Sequence, residues 1–164
     1  MNKKNFIIIG ILLMFGVCVC AGCSARQGEK YTMEDLDNLA EIRIYSAKNN
    51  ELIKIITDEE QLYQYNHCSI FADPDIEERQ GEWKRALEDA EEYCYLIAYK
   101  YPVARFGAKE PEENNTITLY EDTNIVKMTV AEETNKAFPI PEEFLTFYYE
   151  LSEEEINFYQ SLTE

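Results

Sequence analysis

The residue pattern predicts an α+β fold: a largely antiparallel sheet built from hairpins, packed by helices on one face. Three observations carry this. Two pairs of short alternating runs flank turn residues, at Ile42–Ile56 and Thr116–Val130. Capping residues stand ahead of helix-spaced apolar positions near 57–60 and 152–155. The elements follow one another as hairpin, helix, helix, strand, hairpin and helix, the order of a hairpin sheet with helices segregated to one side.

The chain divides at its start. Lys3 and Lys4 precede an apolar run from Phe6 to Val19, followed by Cys20-Ala-Gly-Cys23. A basic n-region, an apolar stretch of this size and small residues before a cleavage point form a secretory signal peptide. The run is shorter than the roughly 20 apolar residues of a permanent membrane helix. The Ala21-Gly22-Cys23 sequence resembles the lipobox of bacterial lipoproteins, with Cys20 where that family prefers Leu. The resemblance implies cleavage before Cys23 and a diacylglyceryl group on its sulfur. Two acyl chains hold a protein stably on a bilayer where one holds marginally. The boundaries expected are 1–22 for the signal-peptide helix, 23–30 for the lipidated cysteine and a short tether, and 31–164 for one acidic domain. Ser24 to Lys30 is polar and unpatterned, and spans no more than roughly 25 Å fully extended, keeping the domain near the bilayer.

Within the domain, Thr32-Met-Glu-Asp35 with Leu36 and Leu39 predicts a short helix to Ala40. Ile42 and Ile44, a turn at Asn49-Asn50, and Leu52 to Ile56 predict a hairpin. Thr57-Asp-Glu-Glu60 reads as a capping box for a helix to about Asn66. Trp83, Leu87, Ala90 and Cys94 keep helical spacing, so a helix is expected over about 76–92, weakened at Gly81. Residues 93–106 turn extended, with Tyr95, Ile97, Tyr99 and Tyr101 alternating and Pro102 ending or kinking the strand. A loop over 107–115 precedes the second hairpin, 116–120 and 125–130, around Glu121 to Asn124. A short edge strand is expected over 136–140. Pro141, Glu142 and Glu143 suit a helix start, with Phe144, Phe147, Tyr148 and Leu151 as its apolar face. Ser152-Glu-Glu-Glu155 opens a last helix carrying Ile156, Tyr159 and Leu162.

The lipobox, the Ile-Thr-Asp-Glu-Glu run at 56–60 and the strand pair leading into Phe-Pro-Ile-Pro-Glu-Glu-Phe at 138–144 together resemble small exported lipoproteins of Gram-positive bacteria whose domains have no assigned function. The resemblance implies a surface location and no particular chemistry.

Composition narrows the partners. The whole chain carries a formal charge of −17. Without residues 1–22 it holds 13 basic and 32 acidic residues, a net charge of −19. Such a surface repels nucleic acid phosphates and anionic lipid. With 12 Tyr and 8 Phe the chain has the apolar content of a packed domain rather than a disordered acidic tail.

Chemistry-bearing residues are few. Cys68 and Cys94 remain after the signal; in an exported chain they either form one disulfide or pack as two free buried thiols. His67 is the only histidine, and no second Cys/His pair accompanies His67-Cys68 as a zinc site needs. The Asp73-Pro-Asp-Ile-Glu77 run starts like a calcium loop but has Glu78 where that loop needs Gly and Lys84 where it needs Glu. No metal and no cofactor is expected. Paired acids at 112–113, 132–133, 142–143 and 153–155 sit at turns and helix starts, where capping explains them. Trp83, Tyr95, Tyr99 and Tyr101 are candidates for an aromatic groove. The reading is a membrane-tethered, extracytoplasmic lipoprotein with a non-catalytic binding domain for an envelope protein or small ligand. The alternatives are an envelope hydrolase using paired carboxylates and a regulatory accessory subunit of a membrane complex. Replacing the acylated sulfur by a hydroxyl in Cys23→Ser should abolish radiolabelled palmitate incorporation and release the chain from the membrane fraction; unchanged labelling would contradict the anchor.

Overall fold

The structure is a computed structural model, and it describes residues 31–68, 76–102, 110–131 and 140–164, with side chains of 76–78 undescribed. All lie in the compact unit Tyr31–Glu164. Six strands form one antiparallel sheet: β1 (Leu39–Ser46), β2 (Leu52–Ile56), β3 (Glu92–Lys100), β4 (Glu112–Tyr120), β5 (Ile125–Val130) and β6 (Thr146–Glu150). Their order across the sheet is β2-β1-β3-β4-β5-β6. The described helices are α1 (Glu59–Asn66), α2 (Ile76–Ala86) and α3 (Glu153–Thr163). The fold is α+β, as the hairpin order predicts.

Strand alternation sorts the side chains into two faces. On one face Ile42 and Ile44 of β1 stand beside Ala98 and Leu96 of β3, and Leu96 pairs with Ile117 of β4, which pairs with Met128 of β5. Leu62 and Tyr65 of α1 and Tyr159 and Leu162 of α3 join these residues in one buried cluster. The buried Tyr65 hydroxyl donates to Asn115 Oδ1 at 2.9 Å. Tyr159 meets Tyr65 edge to face, with ring centroids 6.0 Å apart.

Local chemistry accounts for most element ends. Asn50 adopts φ 58° in the β1–β2 turn and Asp122 φ 57° in the β4–β5 turn, a left-handed conformation that Asn and Asp tolerate. The α3 capping box forms as expected, with Ser152 Oγ accepting from the Glu155 N–H at 3.3 Å and the Glu155 carboxylate accepting from the Ser152 N–H at 2.9 Å. For α1 the cap is one residue later than expected: Asp58, accepting from the Gln61 N–H at 3.1 Å.

Four expectations are corrected. The segment after Thr32 is a turn, not a helix to Ala40; Asp37 and Asn38 both take positive φ and send the chain into β1 at Leu39. Helix α2 stops at Ala86 and the chain is already a strand at Glu92. Strand β4 starts at Glu112 rather than 116, because β3 offers partners as far as Lys100. The stretch expected as a helix after Pro141 has only a 3-10 turn, Glu142–Phe144, before β6. Phe147, Tyr148 and Leu151 fit a helical face, but Phe147 and Tyr149 also alternate, and β5 gives them register: Met128 beside Phe147 and Val126 beside Tyr149. The expected edge strand at 136–140 falls almost wholly outside the described residues.

The sheet's two edges are treated differently. Helix α2 lies against β6, with Trp83 and Leu87 buried apart from the main cluster. The Gln80 side-chain amide donates to the Tyr148 carbonyl at 2.7 Å and accepts from the Tyr148 N–H at 2.8 Å. One amide thus occupies both backbone groups that a seventh strand would take. Arg79 reinforces the contact, 2.9 Å from Glu150 and stacked on Trp83 at 4.5 Å. Gln80→Leu removes both bonds and should lower unfolding free energy by about 1–2 kcal/mol, read as a lower urea midpoint.

Candidate functional site

The face of the sheet away from the cluster forms cross-strand rows. One row reads Ile55, Arg43, Ile97, Thr116, Thr129, Thr146 from β2 to β6. The next reads Leu52, Tyr45, Tyr95, Thr118, Lys127, Tyr148. The β2-β1-β3 half is therefore apolar and aromatic, and the β4-β5-β6 half is threonine-rich with one lysine.

The aromatic half is internally braced. Tyr45 and Tyr95 stack with centroids 5.3 Å apart and planes 12° from parallel. The Tyr95 hydroxyl donates to Asn50 Oδ1 at 3.0 Å. The Arg43 guanidinium sits 4.3 Å over the Tyr99 ring and pairs with Glu41. The Glu41 hydrogen bond raises the Arg43 pKa, and partial burial raises that of Tyr99 against the opposing pull of Arg43. Beside this platform, Leu52, Ile53 and Ile55 are 47–48 % exposed. Three large aliphatics of one short edge strand thus meet solvent, beside further aromatic surface, where single scattered apolar residues would need no explanation.

Of the aromatic groove expected from sequence, Tyr95 and Tyr99 share this face. Tyr101 is exposed just beyond the end of β3, its N–H donating to Asn38 O at 2.8 Å. Trp83 is not part of the group: it is 2 % exposed on α2, which packs against β6, three strands from β3. Its helical spacing signalled burial against the sheet edge rather than a binding wall. Arg43, Tyr45 and Ile55 belong to the platform and were not singled out; the β1–β2 hairpin register, which puts them in line with Tyr95 and Ile97, was the signal that could have found them.

The other expected chemistry separates as follows. Cys68 and Cys94 are both free and buried, so the disulfide does not form. The Cys68 thiol turns back on its own helix, donating to the Gln64 carbonyl at 3.3 Å, and Cys94 points from β3 into the cluster. His67 is the residue that ends α1, its Nδ1 2.9 Å from the Tyr63 carbonyl. The acid pairs stand on separate elements: Glu112–Glu113 on β4, Glu142–Glu143 on the 3-10 turn, Glu153–Glu155 on α3; the pair at 132–133 lies outside the described residues, as do Asp73 to Asp75 and Cys23. Among the described residues no cluster of His, Cys, Asp or Glu is placed to hold a metal ion. No described helix is long and apolar enough to cross a membrane.

Three clefts mark the surface of the described residues. One of about 820 Å³ runs between α1 and α3. One of about 720 Å³ lies between α2, the 3-10 turn and β6. One of about 640 Å³ lies by the β4–β5 turn. The chain matches no protein family, no curated protein and no solved structure in comparison with known proteins.

Burial pushes the Cys68 thiol up to about 11 and the Cys94 thiol up to about 12, from an ordinary 9.0. Because both folded values are raised, the associated stability is complete below pH 9.0 and is lost as pH rises through about 11 and 12. Buried Tyr65 and Tyr159, also shifted upward by burial, act in the same direction. The urea midpoint should therefore fall steadily between about pH 9 and pH 11, and a flat profile would contradict neutral buried thiols.

Proposed function

We propose that the chain is a lipid-anchored, extracytoplasmic binding protein whose open sheet face holds a segment of another envelope protein. The observation that carries the reading is the β2-β1-β3 platform, which no described helix covers and where Tyr45 stacks on Tyr95 beside exposed Ile53 and Ile55. A flat aromatic and aliphatic surface suits a protein partner, whereas small ligands favour concave sites. Tyrosine and arginine, both present here, supply large contact area and are enriched where binding energy concentrates. The lipid anchor read from Cys20-Ala-Gly-Cys23 and the net charge of −19 beyond residue 22 support a domain tied to the membrane by its acyl chains, not by surface electrostatics. Nucleic acid is not a partner on this reading. An envelope hydrolase would need two carboxylates converging across one cleft; the described acid pairs stand on different elements.

The test is site-directed photocrosslinking in intact producing cells. A crosslinker at Ile97, in the middle of the platform, should give a discrete protein adduct, and one at Gln160 on α3 should not. Ile55→Lys should remove the Ile97 adduct while leaving the urea midpoint within about 0.5 kcal/mol of the parent, since the side chain is half exposed. No adduct at Ile97, or one that survives Ile55→Lys, would overturn the reading.

A further inference from the structure

The two margins of the sheet differ in whether their backbone is already taken. At β6 the Gln80 amide holds both the N–H and the carbonyl of Tyr148. At β2 the only strand neighbour among the described residues is β1. A strand paired on one side turns the N–H and C=O groups of alternate residues outward, where another strand can take them. Helix α3 touches β2 on the helical face, where Ile56 joins the buried cluster with Tyr159 and Leu162. Leu52, Ile53 and Ile55 stay about half exposed despite that contact. The ladder has one extra residue at Ile53, and Lys54 to Ile56 keep continuous register with β1.

The side chains already in line with this edge set what fits beyond it. The rows Ile55-Arg43-Ile97 and Leu52-Tyr45-Tyr95 both end at β2. One more strand, about 4.8 Å further out, extends both rows. Its side chains on that face meet Ile55 and Leu52, which suits aliphatic residues at alternate positions. The ends of β2 add charge. Glu51 precedes the strand, Asp58, Glu59 and Glu60 follow it, and the sole base over residues 49–66 is Lys54. Glu51 and Asp58 are exposed and accept from neutral donors, the Asn49 side-chain amide at 2.8 Å and the Gln61 N–H at 3.1 Å. A segment lying along β2 with a base at each end therefore meets an acid at each end, whichever way it runs.

The same charges decide against a second copy of this chain. A twofold axis pairs an edge strand with itself in antiparallel sense. Centred on Lys54, that arrangement sets Lys54 beside Lys54 and brings Glu51 next to Asp58. Like charges facing each other across strands oppose pairing, and each copy carries a formal charge of −17.

We propose that β2 receives the partner's segment as an added strand: an extended run with aliphatic side chains at alternate positions and Lys or Arg at each end. The proposal deepens the reading of the sheet face as a partner-binding surface and rests on it. In strand addition the main-chain hydrogen bonds give affinity and the alternate side chains give specificity. Here the bonds come from the outward groups of β2, and the side chains lie on Leu52 and Ile55.

The test adds the synthetic peptide Lys-Lys-Val-Thr-Val-Thr-Val-Lys-Lys to the full chain in non-ionic detergent and follows amide hydrogen exchange by NMR. At about ten times the peptide's Kd, exchange of the outward β2 amides should slow about tenfold, with the β6 edge unchanged. Methylating the backbone nitrogens of either all valines or all threonines blocks one margin of the peptide. One version should bind at least about tenfold more weakly and the other about as well as the parent, which separates strand pairing from side-chain contact alone. Replacing the lysines by glutamates should abolish binding. Glu51→Gln combined with Asp58→Asn, which keeps a capping oxygen on α1, should weaken the lysine peptide about twofold to thirtyfold. No protection of β2, the same result from both methylated peptides, binding of the glutamate peptide, indifference to the double variant, or concentration-dependent protection of β2 in the free chain would each overturn the proposal. An Ile97 adduct that persists in cells while the peptide leaves β2 unprotected would overturn strand addition and leave the platform reading standing.

Discussion

Among the described residues the antiparallel sheet has two faces and one helical cover. Everything else follows from that constraint. Leu96, Ile117 and Met128 can be dry because α1 and α3 lie over them with Leu62, Tyr65, Tyr159 and Leu162. Each fully buried aliphatic or aromatic side chain of this kind contributes about 1.5–3 kcal/mol relative to exposure. The alternation that sends Leu96 inward sends Tyr95 and Ile97 outward, so the platform is the necessary reverse of the core. A protein that buried both faces would need a second helical layer. Here the described residues provide only α2, and α2 is used at the β6 edge.

That use of α2 explains an asymmetry in the sheet. Unpaired strand edges invite pairing with other chains, and proteins blunt them with covers, charges or bulges. The β6 edge is blocked by a side-chain amide that imitates the backbone it replaces, with Arg79 and Glu150 beside it. At the other edge β2 carries Leu52, Ile53, Lys54, Ile55 and Ile56; it is short, bears one lysine, is irregular opposite Ile44 and Tyr45, and touches α3. The same sheet therefore has one sealed margin and one apolar margin continuous with the aromatic rows.

Charge is distributed as unevenly as apolarity. The scarce bases mostly serve nearby acids or rings on the sheet: Arg43 with Glu41 and Tyr99, Lys100 with Asp37, Lys127 with Glu92. The helices over the other side have acids and no base. Acids in a first helical turn stabilise the turn through the dipole, which accounts for Glu59, Glu60 and Glu153. Exposed pairs contribute little to stability, so the sorting of charge matters more for what each side attracts than for holding the fold.

Local chemistry was legible in the linear chain. The Asn50 and Asp122 turns, the Ser152–Glu155 capping box and the alternation of β3 involve residues a few positions apart, and their geometry depends on little else. The α+β class followed from the same signals. Residues with two valid periodicities were not decidable from the chain alone: Phe147, Tyr148 and Leu151 fit a helix face until β5 offers a register and Gln80 occupies Tyr148. The fates of Trp83, Cys68 and Cys94 were likewise set by distant partners. Trp83 keeps helical spacing in any context, but only the packing of α2 on β6 buries it away from the tyrosines. The amino-acid sequence by itself determined the hairpins, the caps and the acidic balance, because these are properties of neighbours along the chain. The tertiary structure decided which aromatics share a surface, which thiols stay apart and which edge is closed, because those outcomes depend on contacts between residues many tens of positions apart.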